Sequence, residues 1–512
     1  MSADGRMAII GEADVVTGWA ERLAGQREVT ALLLAAPASE TTAGPTRNFA
    51  YRTVSTPTLD GHLGAFTVNW LDGDAPRQGV FDVVLDLSPE PLLKRVELPQ
   101  GYLAPGRDPL DQALAVIDLL AFDGDFEKPR YVEVNERLCA HSRAKQAGCS
   151  NCISVCATEA ISSAGESIHL DPYLCQGCGT CATVCPSGAL AYQYPRVADA
   201  GLAVKAQIAA YRKAGGVNPR VLFLAEQAGR KALAEMDQSG GSLPDNVIAI
   251  ELWSADAVGL DLLLGTLSLG AEQLAVLGAG SHDLAPLRQQ ARLAQLILAG
   301  LGYDGERVRI IDCDAPDWLA EITTWTPADA IPTAEFRLLR DKRTTLEFVF
   351  DHLIRHAPAA SPVIELPEGA PFGSVTVSDA CTLCMSCTSA CPPGALKAAA
   401  DTPRLSFLER LCLQCGVCAN TCPEQAITLT PQLRVKDRRA ERVLREAEIF
   451  HCSVCGVAMG AAPTITNMMA KLSGHSMFAT PEAKARLTMC ADCRVVDLVT
   501  HEKSIKAWEL SE

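Results

Sequence analysis

Sixteen of the 21 cysteines fall in four motifs of four, and the clearest pair reads Cys381-Thr-Leu-Cys384-Met-Ser-Cys387-Thr-Ser-Ala-Cys391-Pro392, followed by Cys412, Cys415, Cys418, Cys422 and Pro423. Three thiolates at i, i+3 and i+6 wrap a short turn around one face of an iron-sulfur cubane. The fourth, on the following helix, reaches the other cluster of a pair. On that rule Cys381, Cys384, Cys387 and Cys422 hold one [4Fe-4S] cluster, and Cys412, Cys415, Cys418 and Cys391 hold its neighbour. Disulfides want an oxidising compartment and zinc wants two Cys-x-x-Cys knuckles, and the tight triplet with its trailing Cys-Pro fits neither.

A second block runs from Tyr131 to Tyr194. Its later half, Cys175, Cys178, Cys181, Cys185 and Pro186, matches the pattern fully. Its earlier half is stretched: Cys139 stands well before Cys149 and Cys152, and Cys156 is followed by Ala157 where a Pro is expected. Cys139 follows the strand-like Tyr131–Val134 as Cys175 follows Ile168–Leu170, which makes it a ligand and the insertion a lengthened loop. Crosswise, Cys139, Cys149, Cys152 and Cys185 form one set, and Cys175, Cys178, Cys181 and Cys156 the other. Four residues beyond each fourth cysteine comes Ala and then an aliphatic residue: Ala160-Ile161, Ala189-Leu190, Ala395-Leu396 and Ala426-Ile427. This internal repeat predicts a helix that ends and returns as a strand, with a small residue beside the sulfide and an apolar one sealing it from water.

The tail carries a different signal. Cys452-Ser-Val-Cys455-Gly456 and Cys490-Ala-Asp-Cys493 are two knuckles of a ribbon-type site, and four thiolates closing a tetrahedron predict a structural zinc ion, with His451 and His475 as bystanders. Rubredoxin-like iron or a further cluster is the alternative. Cys313 stands alone and reads as a packed thiol rather than a reactive one.

These residues must be positioned by several cores, because 512 residues exceed what one core supports. Five segments are expected: an α/β domain over 1–130, a first cysteine module over 131–197, a doubly wound α/β domain over 198–335, a helix plus second cysteine module over 336–433, and a basic helix with a four-cysteine tail over 434–512. In the first, the acidic run Asp123–Glu127 reads as a solvated turn. The third alternates strands at Val221–Leu224, Val247–Leu252, Leu274–Leu277 and Val308–Ile311 with helices at Glu226–Met236, Ala255–Leu267 and Leu284–Leu298. Gly278-Ala-Gly280-Ser281 lies where a phosphate loop would, but it lacks the third glycine and the acidic partner of a dinucleotide site, so a structural turn is the reading there. Arg337, Arg340, Lys342 and Arg343 lead into the second module, and Lys436, Arg438, Arg439, Arg442 and Arg445 follow it on a helix expected over Arg434–Glu448. A solvated face accounts for both runs; the sharper readings are a docking face for an acidic partner or a charge balance to the clusters.

The net charge of −16 argues against nucleic acid and for a basic patch on a protein partner. The N-terminus has no apolar signal region and no apolar run approaches a membrane span, so a cytoplasmic protein that inserts in no membrane is expected.

The two cysteine blocks resemble bacterial-type dicluster ferredoxin modules, and residues 217–320 resemble the delta-subunit domain of methyl-viologen-reducing hydrogenase and heterodisulfide reductase. That domain binds a [2Fe-2S] cluster through several cysteines; with Cys313 alone here, the cluster is not carried over. The whole order, including Ile465-Thr-Asn-Met-Met-Ala-Lys-Leu472 and Met489-Cys-Ala-Asp-Cys-Arg-Val-Val496, is similar to the multi-cluster 4Fe-4S proteins found beside molybdenum formate dehydrogenases. The resemblance implies an electron carrier, with no catalytic residues of its own, that works between redox proteins, a formate dehydrogenase among them. The expected cofactors are four [4Fe-4S] clusters and one zinc ion. Two other classes stay open: an assembly factor for a molybdenum enzyme, and an oxidoreductase subunit with a flavin or nucleotide in the middle domain.

Overall fold

The computed structural model describes residues 1–34, 48–72, 75–278 and 283–501, and shows a multidomain protein of mixed α/β architecture. The N-terminal domain is built on a seven-stranded sheet. Its inner strand Arg6–Gly11 pairs in parallel with Glu28–Leu34 and Val83–Leu87, and beyond Glu28–Leu34 the strand Ala50–Asp60 and a hairpin of Phe66–Asp72 and Ala75–Phe81 extend one side. Successive residues of the inner strand serve opposite faces: Met7 and Ile9 pack under the helices Ala13–Leu23 and Pro109–Leu120, while Ala8 and Ile10 face Phe66, Trp70 and Tyr102. In the acidic run, Gly124–Asp125 pairs with Ser2–Ala3, and Arg27 closes the turn by donating to the carbonyls of Leu120 and Phe122.

In the middle domain four parallel strands, Val247–Leu252, Arg220–Ala225, Gln273–Gly278 and Val308–Asp312, lie side by side in that order. Val221 and Phe223 face one core with the helices Leu260–Ser268 and Ala285–Gly300, and Leu222 and Leu224 face a second with Trp318 and Trp325. Both faces are covered, which is why these strands are nearly continuous runs of apolar residues. The glycine loop after Gln273–Gly278 falls at residues 279–282, outside the described residues.

Each cysteine module is a pair of small antiparallel ladders. In the first, Val132–Val134 pairs with Leu190–Tyr192, and Ile161–Ala164 with Ser167–Leu170. In the second, Gly373–Val377 pairs with Ile427–Arg434, and Leu396–Ala398 with Arg404–Leu408. All four Ala-aliphatic pairs mark the return from a fourth cysteine into a strand, and the four alanines are buried.

One expected element is absent. The stretch Arg434–Glu448 forms no helix: Arg434 ends one strand, a turn follows, and Glu441–Glu446 is a third strand on Arg404–Leu408. The ladder wins because it satisfies the free edge of Arg404–Leu408, and because Arg442 and Arg445 find partners in the adjacent segment at Ser374, Val375 and Asp379. The second module therefore extends past residue 433. The helix before that module is shorter than its pattern, Lys342–Arg355, and starts at Asp341, whose carboxylate accepts from Thr344 N at 2.6 Å.

Among the described residues no helix is long and apolar enough to cross a membrane.

Candidate metal centres

The Cys-x-x-Cys-x-x-Cys turns need backbone that L-residues adopt reluctantly. In three of them the residues two and four places after the first cysteine have positive φ: Leu383 and Met385, Gln414 and Gly416, Gly177 and Gly179. This coils the chain so that amide N–H groups point inward at sulfur. Leu383 N donates to Cys381 Sγ at 3.4 Å and Gln414 N to Cys412 Sγ at 3.5 Å. The repeat alanines act in the same way, Ala395 N on Cys391 Sγ and Ala426 N on Cys422 Sγ, each at 3.3 Å. Their small side chains fit the buried space beside those sulfurs, and their amides are the functional part.

In the second module the thiols gather in two hollows. One is lined by Cys381, Cys384, Cys387 and Cys422 with Leu383, Leu405 and Ile427. The other is lined by Cys391, Cys412, Cys415 and Cys418 with Val375, Phe407 and Leu429. Burial, then the neighbouring thiolates, raises Cys387 and Cys418 to about 12. Cys412 is raised to about 11, again first by burial. At Cys384 burial works upward, but hydrogen bonds from Ser386 and Thr382 bring the thiol down. Four like-charged sulfurs in an apolar hollow are unfavourable unless a positive core lies between them, and an iron-sulfur cubane fits that donor set.

The first module gathers its cysteines around one core, with Cys139, Cys152, Cys181 and Cys185 in a single buried cluster and Cys156 and Cys175 packed against it. Burial raises Cys139, Cys149 and Cys152, and the charge of Cys185 adds to all three. Burial likewise raises Cys175, Cys178 and Cys181, and all three sense Cys156. The insertion between Cys139 and Cys149 is a hairpin, with Ser142–Arg143 paired to Gln146–Ala147. Cys149 N donates to Ala140 O and Gly148 N to His141 O, each at 2.8 Å, so the chain leaves and returns at one point and Cys149 arrives beside Cys139. Each of Cys139 and Cys412 closes a 3-10 turn of the same four letters, Glu136-Arg137-Leu138-Cys139 and Glu409-Arg410-Leu411-Cys412. That repeat was available in the sequence and is a stronger marker for Cys139 than the preceding strand.

Several residues around the sulfurs carry no sequence signal of their own. Cys156 Sγ lies 3.5 Å from Thr158 Oγ1, and Cys185 Sγ 3.6 Å from Ser187 Oγ. Gln414 Nε2 donates to Cys412 Sγ at 3.3 Å. Lys342 Nζ donates to the carbonyls of Ala182, Thr183 and Cys185, and Arg343 to those of Pro371, Arg410 and Cys412. These two cations of the presumed solvated face are turned inward. So is Arg438, which is buried and bridges Glu347 and Asp351, with Arg439 on the same pair. Cys313 is half-buried against the second core of the middle domain.

In the tail the sulfurs of Cys452, Cys455, Cys490 and Cys493 lie within 4.8 Å of one another. Cys452 accepts from Cys490 N at 3.2 Å and Val454 N at 3.5 Å, and backbone N–H groups hold its thiol well below the usual range. The tail is not a ribbon of two hairpin knuckles. Cys452 and Cys455 sit between the paired strands Ile449–His451 and Ala458–Ala461, whereas Cys490 directly precedes the helix Ala491–His501 and Cys493 lies in its first turn. The helix start suits the second pair because its free amides face sulfur, Cys493 N reaching Cys490 Sγ at 3.4 Å. His451 Nδ1 meets Gly456 O at 2.9 Å, and His475 Nδ1 accepts from Met477 N.

No curated protein matches the chain. Residues 147–189, which hold seven of the eight cysteines of the first module, match the model of the 4Fe-4S dicluster domain, and the chain is an iron-sulfur protein.

Proposed function

We propose that the protein relays electrons between two redox proteins through four [4Fe-4S] clusters, and that its tail holds one structural zinc ion. The observation that carries this reading is the crossed gathering of thiols in the second module, where each hollow draws three cysteines from one motif and one from the other; the first module is read by the same rule. The ligands are Cys139, Cys149, Cys152 and Cys185; Cys175, Cys178, Cys181 and Cys156; Cys381, Cys384, Cys387 and Cys422; and Cys412, Cys415, Cys418 and Cys391. Cys452, Cys455, Cys490 and Cys493 take the zinc.

A bound cubane takes up and gives up one electron at a time. The chain's own residues set the conditions. The inward amides of Leu383, Ala395, Gln414 and Ala426 stabilise charge on sulfur, and apolar side chains such as Leu405, Phe407 and Tyr192 exclude water. Formate dehydrogenase is the first partner to test, on resemblance alone.

Anaerobic elemental analysis should give about sixteen iron and one zinc per chain. Mixing the oxidised protein with formate and the dehydrogenase under argon should bleach its visible absorbance. Iron near half that value would remove one module from the relay, and tight binding to cofactor-free dehydrogenase without bleaching would favour an assembly role.

A further inference from the structure

The two cysteine modules meet directly, and the residues at their seam belong to one particular set on each side. Asn420 Nδ2, on the helix Val417–Thr421 of the second module, donates to Ala147 O in the hairpin of the first at 2.9 Å. Next to it, a Cβ at Gly148 would meet Val417 Cγ2 at 2.5 Å, so only glycine permits the approach. Val417 is fully buried there. Lys342 and Arg343, consecutive on one helix, donate to the carbonyls of Cys185 and Cys412. Cys149 and Cys185 are in one set, and Cys412 and Cys415 in the other.

Within each module the two sets are also neighbours. Cys139, Cys152, Cys181 and Cys185 pack in one buried cluster in the first, and Cys387, Cys412 and Cys418 in one in the second. The remaining sets lie away from this seam, the first of them against the middle domain, where Gly179 packs on Ala257. Gly177, between Cys175 and Cys178, packs against Tyr131, which contacts the exposed Trp253 and Tyr194. At the other end Cys384 is exposed.

We infer that this seam places the four thiol sets in single file, in the order Cys156/175/178/181, Cys139/149/152/185, Cys391/412/415/418, Cys381/384/387/422, so that the protein is one continuous conductor rather than two separate two-cluster carriers. The inference rests on reading each set as a [4Fe-4S] site. One electron would pass per step: the cluster held by the donating set would be oxidised by one, the cluster held by the accepting set reduced by one, and no bond to the cysteines would form or break. The reductant and the oxidant are redox proteins at the two ends. Electron tunnelling decays steeply with distance, and the approach allowed by Gly148 is what lets the inner sets exchange.

The test leaves only the inner sets in the full chain. Cys156→Ala with Cys178→Ala removes the first set, and Cys384→Ala with Cys422→Ala removes the last. About eight iron per chain should remain. After reduction by dithionite, the electron paramagnetic resonance spectrum should be split by magnetic coupling between two clusters that lie in different modules. Two additive, unsplit signals at full iron content would overturn the order while leaving the cluster assignments intact. If this chain loses its iron, a benzophenone amino acid at position 147 of the otherwise unaltered holoprotein decides the matter. Light should crosslink it within the same chain to the peptide containing Val417–Thr421, and crosslinking elsewhere, or none, would overturn the seam.

Discussion

Lys342 Nζ and Arg343 Nη2 each stand 3.2 Å from the backbone carbonyl of a cluster cysteine, Cys185 for the first and Cys412 for the second, in different modules. Successive side chains on a helix diverge by about 100°, so a helix end wedged between two loops can serve both. Burial brings the Arg343 guanidinium down to about 10. A cation is kept there against its solvation preference, beside loops that gain negative charge when electrons arrive.

Replacing Lys342 with Met should therefore lower the midpoint potential of the Cys139/149/152/185 cluster, and Arg343→Met that of the Cys391/412/415/418 cluster. A shift on the order of 50 mV is expected for a unit charge removed at this range. A potentiometric titration followed by electron paramagnetic resonance reads it, and unchanged midpoints with intact iron would show the two cations to be purely structural.

Ser187 and Thr158 give a test of the crossed ligation. Hydrogen bonds to cluster sulfur raise the potential, so Ser187→Ala should lower the cluster bound through Cys185 by on the order of 30 mV, about the net worth of one hydrogen bond. Thr158→Val should do the same for the cluster bound through Cys156. Each effect belongs to the triplet farther off in sequence. A shift in the nearer one would mean that fourth ligands do not cross.

Arg438 supports the second module from beneath. It is buried and bonded to Glu347 and Asp351, and Arg438→Met would leave those carboxylates with Arg439 alone. Removing one partner from such a cluster costs about 3 kcal/mol. The thermal transition of the holoprotein should fall by several degrees, with the second module's clusters bleaching first.

The tail offers a metal-removal experiment. Its helix Ala462–Leu472 lies against the outer cysteine loop, where Thr464 Oγ1 donates to Thr382 O and Lys471 pairs with Glu424. Cys452→Ala should release zinc and loosen this cover. Bleaching of the Cys381/384/387/422 cluster in air should then quicken several-fold while the other three hold, with new proteolysis near residue 448. Loss of iron in proportion to zinc would instead make the tail part of a cluster site.

The strands of the middle domain were legible because the sheet is covered on both faces, which leaves near-continuous apolar runs. The helix expected over Ala255–Leu267, by contrast, is a 3-10 turn at Ala255–Ala257 followed by Leu260–Ser268, a helix buried on every side that shows no amphipathic period. The cysteine spacing was legible for a different reason: the geometry of the turn leaves little freedom. The stretch after Arg434 misled because arginines and glutamates at helical spacing also suit a strand whose cations reach across to Ser374 and Asp379. The inward turn of Lys342 and Arg343 was equally hidden, since nothing local distinguishes them from Arg337 and Arg340. In the tail, Cys-x-x-Cys reads alike on a hairpin and at a helix start.

The hairpin between Cys139 and Cys149 changes how distance along the chain should be counted. Because Ala140 pairs with Cys149 and His141 with Gly148, the tip at Ala144 and Lys145 is a closed detour that leaves the Ala147 contact with Asn420 in place, and lengthening it would cost only about 0.6 kcal/mol per doubling of the loop. No thiol would move. Such a site is free to drift in length over generations while its chemistry stands still, so kin of this chain could carry the same set with quite different numbers of residues between the first two cysteines.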